Sequence, residues 1–89
     1  MNYEILDKNI KGCASARWLI KLEKEVKIED EDIKTQYFVA SGVDAYSSGW
    51  EVLVFPSDQD GMILDWGEVA GGRDMSHQDA VDDLINTYK

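Results

Sequence analysis

Two stretches of alternating apolar and polar residues, separated by four consecutive acids, constrain this chain more than any other feature. Between residues 16 and 26, Ala16, Trp18, Ile20, Leu22 and Val26 fall on one side of a period-two pattern, with Arg17, Lys21, Glu23 and Glu25 on the other and Lys24 alone out of register. Successive strand side chains point to opposite faces, so this pattern specifies a strand with one buried face. A helix is the competing reading, because Ala14, Trp18, Leu22 and Val26 also align at helical spacing. Leu19 and Ile20 then broaden the stripe, however, and no good N-cap stands close before it, so the strand is preferred. Glu29-Asp30-Glu31-Asp32 forms a polar turn, and beyond it Ile33, Thr35, Tyr37 and Val39 alternate with Lys34, Gln36, Phe38 and Ala40 as the returning strand of a hairpin.

The remaining segments extend an antiparallel sheet. Tyr3-Glu4-Ile5-Leu6 reads as a short strand, closed by the turn-forming residues Asp7 to Gly12, and Ser41 to Gly49 reads as a loop. Trp50 to Phe55 is apolar on both faces, which predicts a central strand covered on both sides, and Pro56 should end its ladder because it has no N–H. Ser57-Asp58-Gln59-Asp60-Gly61 carries turn chemistry, with Gly61 free to take positive φ, and Met62-Ile63-Leu64 is expected to return as a strand. Gly67, Gly71 and Gly72 make Asp65 to Asp74 a loop. Ser76 with Asp79 three residues on starts a helix whose apolar stripe is Ala80, Val81, Leu84, Ile85 and Tyr88, while Asp82, Asp83 and Asn86 face water. The expected fold is α+β: four or five antiparallel strands and one C-terminal helix packed on a face through Val81, Leu84 and Ile85, all in one domain spanning residues 1–89.

Composition sets the function classes. A chain of 89 residues has a small core, and its 44% apolar content places it among folding rather than disordered sequences. Its longest apolar runs, Trp18-Leu19-Ile20 and Val52-Leu53-Val54-Phe55, fall far short of the ~18 residues of a membrane span. Met1-Asn2-Tyr3-Glu4 does not open a secretory signal, and the lone Cys13 fits a reducing compartment, so a cytoplasmic location is expected. Charge is the strongest bias. The net charge is −9, and it is uneven: residues 1–34 hold seven basic against eight acidic side chains, whereas residues 35–89 hold only Arg73 and Lys89 against ten acids. A segment at −8 repels nucleic acid and anionic membranes directly and attracts basic protein surfaces.

Motifs for chemistry are weak. His77 directly follows the helix cap and reads as a surface or capping-region residue, because Cys13, Ser41, Ser47 and Ser48 stand in no nucleophile motif. Asp58-Gln59-Asp60-Gly61 has glycine in the wrong place for a calcium loop, and Gly71-Gly72-Arg73 lacks the lysine and hydroxyl of a phosphate loop; the first reads as a hairpin turn and the second as a flexible connection. No catalytic residue, cofactor or metal is therefore expected. The informative combination is acids with tryptophans. Trp18 and Trp50 read as core. Trp66, between Asp65 and Gly67-Glu68, reads equally well as an exposed anchor or as a lid folded over a hydrophobic edge. The candidate partner-binding residues are Asp58, Asp60, Asp65, Trp66, Glu68, Asp79, Asp82 and Asp83, which loops and a helix would have to bring onto one face.

The segments Tyr37-Phe38-Val39-Ala40, Gly49 to Pro56, Asp65-Trp66-Gly67-Glu68 and Ser76 to Val81 resemble small proteins of bacteriophage and prophage genomes over residues 35–85, with no single family identified. Some small acidic phage proteins inhibit host defence, among them anti-CRISPR and anti-restriction proteins that occupy nucleic-acid-binding surfaces. Resemblance and charge together imply a non-enzymatic inhibitor in the host cytoplasm that presents acids to a basic surface of a nucleic-acid-binding protein. The alternative is a homo-oligomeric phage structural or accessory protein whose strands pair across subunits at a sheet edge.

Overall fold

A computed structural model of the chain describes residues 1–8, 17–28, 32–45 and 49–88, with side chains for all of these except 43–45 and 49. Tyr3–Asp7 (β1), Arg17–Ile28 (β2), Ile33–Ala45 (β3), Gly49–Ser57 (β4) and Ala70–Arg73 (β5) are strands, and His77–Thr87 (α1) is a helix. The sheet order is β1-β2-β3-β4-β5 and every pairing is antiparallel, so the chain is a meander with a C-terminal helix. The expected α+β architecture is the observed one. Of the residues and turns singled out above, residues 9–12 of the Asp7–Gly12 turn, Cys13, Ala14, Ala16, Glu29, Asp30, Glu31, Ser47, Ser48 and Lys89 lie outside the described residues.

Residues 17–28 are strand throughout, and the misfit at Lys24 has a structural counterpart. Lys21 pairs with Tyr37 and Val26 with Thr35, so Leu22 to Glu25 bulge opposite Gln36. The Gln36 side chain fills the gap by donating from Nε2 to the Leu22 carbonyl at 2.9 Å. Beyond Ala40, β3 does not become a loop. It runs on to Ala45, with Ser41 opposite Leu53 and Ala45 opposite Gly49.

Three boundaries differ from the sequence-based expectation, each for a local reason. β4 continues through Pro56 to Ser57, still paired with Phe38 and Tyr37. A strand residue's N and C=O face the same side, and the Pro56 carbonyl accepts from the Leu64 N–H at 2.9 Å; the missing donor of Pro56 thus points away from β3 and costs that ladder nothing. Met62-Ile63-Leu64 is no strand, only an isolated bridge between Ser57 and Ile63. Asp58 Oδ1 accepts the N–H groups of Asp60 and Met62, each at 2.9 Å, and this closes the turn around Gly61 (φ 86°) before the chain turns off the sheet. The true neighbour of β4 is β5, in the stretch expected to be loop: Gly71 and Gly72 pair with Leu53 and Val52.

The helix covers one face of this sheet. Ile20, Leu22, Phe38, Ala40, Val52, Val54 and Ala70 pack against Ala80, Val81 and Leu84, with Ile85 and Tyr88 partly buried at the margin. Burying a side chain of this size contributes roughly 1.5–3 kcal/mol. On the opposite face Leu19, Val39 and Phe55 form a row across three strands and are themselves buried. The capping box at the helix start is complete, since Ser76 Oγ accepts from the Asp79 N–H and the Asp79 carboxylate accepts from the Ser76 N–H, both at 3.1 Å. Ser76→Ala should lower stability by about 1 kcal/mol, read as a lower urea midpoint at unchanged slope.

Candidate partner-binding surface

The eight residues expected to meet a partner occupy three settings. Asp58 is half-buried and holds the turn after β4, with Asp60 exposed beside it. Asp65, Trp66 and Glu68 belong to the loop that leads to β5; Asp65 Oδ1 accepts from the Gly67 N–H at 3.2 Å, and Glu68 is exposed. Asp79, Asp82 and Asp83 lie on α1. There Asp79 closes the capping box, and Asp82 Oδ1 accepts from Gln78 Nε2 at 3.0 Å, which also donates to the Tyr3 hydroxyl at 2.9 Å.

Two ends of the molecule result. Asp65 and Glu68 line a cleft of about 610 Å³ together with Lys27, Ile28, Gly67, Val69, Thr87 and Tyr88, at the C-terminal end of the helix. Asp79 and Asp82 sit in the first turns of the same helix, beside Tyr3. Asp79 and Thr87 are separated by roughly 12 Å of helix axis.

Asp83 has a structural role that the sequence pattern hides. Expected to face water, it is half-buried, and its Oδ2 accepts the Gly71 N–H at 2.8 Å, joining the helix to the edge strand. A charged acceptor for a backbone N–H is a strong local tie. Asp83→Ala should cost about 1.5 kcal/mol of stability, whereas Asp82→Ala should stay within about 0.5 kcal/mol. Denaturation midpoints of the two variants separate the roles.

Trp66 is both exposed and laid over an apolar edge. Its ring meets Phe55 edge-on at 5.3 Å between centroids, so it lies over the second apolar row, yet 65% of its surface is exposed. The Arg17 guanidinium stands 5.8 Å from its centroid, and Arg17 Nε donates to Ser41 Oγ at 3.2 Å. Trp18 and Trp50 are less interior than expected. Trp18 is half-buried and Trp50 is 40% exposed; Trp18 stacks on His77 at 5.1 Å between centroids, and Trp50 meets the same ring tilted, at 6.2 Å. The Trp50 ring lies on Gly42, where any Cβ would overlap it. His77 is thus half-buried between two indoles. No local pattern announces this cluster, which joins residues from three elements; the bare Gly42 inside an apolar strand is the one available sign.

The electrostatics separate by element. Lys8, Arg17 and Lys21 lie over the rings of Trp18, Trp66 and Tyr37. Asp58, Asp65, Asp79 and Asp83 take their hydrogen bonds from backbone N–H groups and Asp82 from an amide. These carboxylates are therefore fixed in place by neutral donors, and their charge remains available to the surroundings. Among the described residues no group of three or more His, Cys, Asp or Glu side chains is arranged to hold a metal ion, and no helix is long and apolar enough to cross a membrane. Comparison of the chain with protein-family models, with curated proteins and with solved structures finds no match in any of the three.

Proposed function

We propose that this chain is a non-enzymatic binding protein whose carboxylates engage a basic surface on a nucleic-acid-binding protein and thereby keep nucleic acid from it. The observation that carries the reading is the fixing of Asp58, Asp65, Asp79 and Asp82 by neutral hydrogen-bond donors within a segment of net charge −8. Pre-oriented acids lose little conformational freedom on binding, and their summed field steers a cationic partner from a distance. Trp66 adds an exposed aromatic of the kind that anchors interfaces. In the specific form implied by the phage-protein resemblance, the partner is a host defence protein such as a CRISPR effector.

Affinity capture from bacterial lysate, with nuclease present, tests the reading. The tagged chain should retain a basic nucleic-acid-binding protein at low salt and release it at high salt. A variant carrying Asp60→Asn, Glu68→Gln, Asp79→Asn and Asp82→Asn should retain much less of it. Equal retention by the two proteins, or recovery of the bait alone, counts against an acidic docking surface.

A further inference from the structure

The cleft at the C-terminal end of α1 has a chemistry that the net charge alone does not give it. Asp65 and Glu68 line it from the loop before β5, and Thr87 and Tyr88 from the place where the helix stops. The last carbonyls of a helix have no donors from within it, and this end is the negative pole of the peptide dipoles. The last turn of α1 holds no basic residue. Ile28 and Val69, both packed with the core, add apolar side chains to the cleft's lining. An apolar floor under a negative rim suits a long cationic side chain, whose methylenes lie on the floor while its head stays at the rim.

Other ligands fit less well. A divalent cation needs more hard oxygen ligands than two carboxylates supply, and no three-residue metal cluster exists among the described residues. An anion would meet Asp65 and Glu68, with Lys27 the only cation among the described residues that line the cleft. Lys27 is exposed, on a flexible stem, and stands at the edge of the cleft as a like charge to any ammonium or guanidinium that enters.

We infer that this cleft is the pocket for one arginine or lysine side chain of the basic protein partner. The inference rests on the function proposed above and locates its anchoring contact. Trp66 lies on the same loop between Asp65 and Gly67, but its ring packs on Phe55 and is not part of the cleft.

The test is a titration of the ¹⁵N-labelled full chain with a capped Gly-Arg-Gly peptide, followed by amide chemical shifts. Saturable shifts are expected at Gly67, Glu68, Val69, Thr87 and Tyr88. The double variant Asp65→Asn, Glu68→Gln, which keeps an oxygen acceptor for the Gly67 N–H, should bind roughly fivefold more weakly. Lys27→Met should bind about twofold to threefold more tightly, a change of sign that a merely structural role would not produce. Shifts centred on Asp79 and Asp82, or spread evenly over all acids, would overturn the cleft and leave the acidic-surface reading standing. Absence of any shift at millimolar peptide also overturns the cleft, and the salt-dependent capture then decides the broader reading separately.

Discussion

Gly71→Ala is expected to lower the unfolding free energy by about 3 kcal/mol or more, while Gly72→Ala, one residue away, should change it by less than about 1 kcal/mol. Gly71 has φ +98°, and a Cβ there would overlap the Val52 carbonyl oxygen and approach the Leu53 Cα to 3.0 Å. Those atoms are backbone of the neighbouring strand, held in the β4–β5 ladder, so they cannot yield by a change of rotamer. The same residue gives its N–H to Asp83, so a shifted backbone also loses the tie to the helix. At Gly72 the nearest atom is Met75 Cε, 3.6 Å away, which is ordinary contact with the end of a flexible side chain. Urea midpoints of the two variants check the pair. Equal losses would mean that the β4–β5 approach is not as described. Against a typical domain stability of about 5–15 kcal/mol, the first loss is severe.

The second large effect is expected at the centre of the sheet. Phe38 has no exposed surface, pairs with Ile20 and Pro56, and sets its ring 6.0 Å from that of Tyr88. Phe38→Ala removes a large side chain between the helix and three strands, and the surrounding strands cannot collapse into the space, so a loss of about 3–5 kcal/mol is expected. Tyr37, one residue earlier, points to the opposite face and is half-buried. Tyr37→Ala should cost about 1–2 kcal/mol by comparison. Thermal or urea unfolding of both variants measures the face preference of β3 directly.

The elements that could be read from the sequence are those whose signal is local. The period-two pattern at 16–26 and 33–40 follows β2 and β3, although Leu19 and Val39 are buried on the second face as well, and the apparent error at Lys24 marks a real bulge. Ser76 and Asp79 identified the helix start because the capping box needs only four residues. β5 was hidden, since paired glycines read as a loop by propensity. It is a strand because Val52 and Leu53 on one side and Asp83 on the other supply hydrogen bonds and cover that propensity does not include. Met62 to Leu64 misled in the opposite direction. Three apolar residues after a turn look like a returning strand, but the Asp58 carboxylate takes the Met62 N–H, and their pairing beside β4 goes no further than the Leu64 N–H on the Pro56 carbonyl.

The candidate site divides along the same line. Its charge was visible in the sequence, because carboxylates on exposed turns and helix faces keep their character wherever the fold puts them. Its geometry was not. The separation of Asp65 and Glu68 from Asp79 and Asp82 by a length of helix, the loss of Asp83 to a backbone donor, and the ring cluster of Trp18, His77 and Trp50 all depend on contacts between distant segments. Reading such contacts requires the register of the sheet and the seat of the helix on it.

The central claim is that the acids of this chain compete with nucleic acid for a basic surface. The most direct measurement is displacement of a fluorescent nucleic acid from the captured partner by increasing amounts of the chain, at low and at high salt. The account predicts full displacement at low salt, weakened both by added salt and by neutralising Asp60, Glu68, Asp79 and Asp82. Stable binding of the chain to a partner that still holds its nucleic acid, with an affinity that salt does not change, would contradict it.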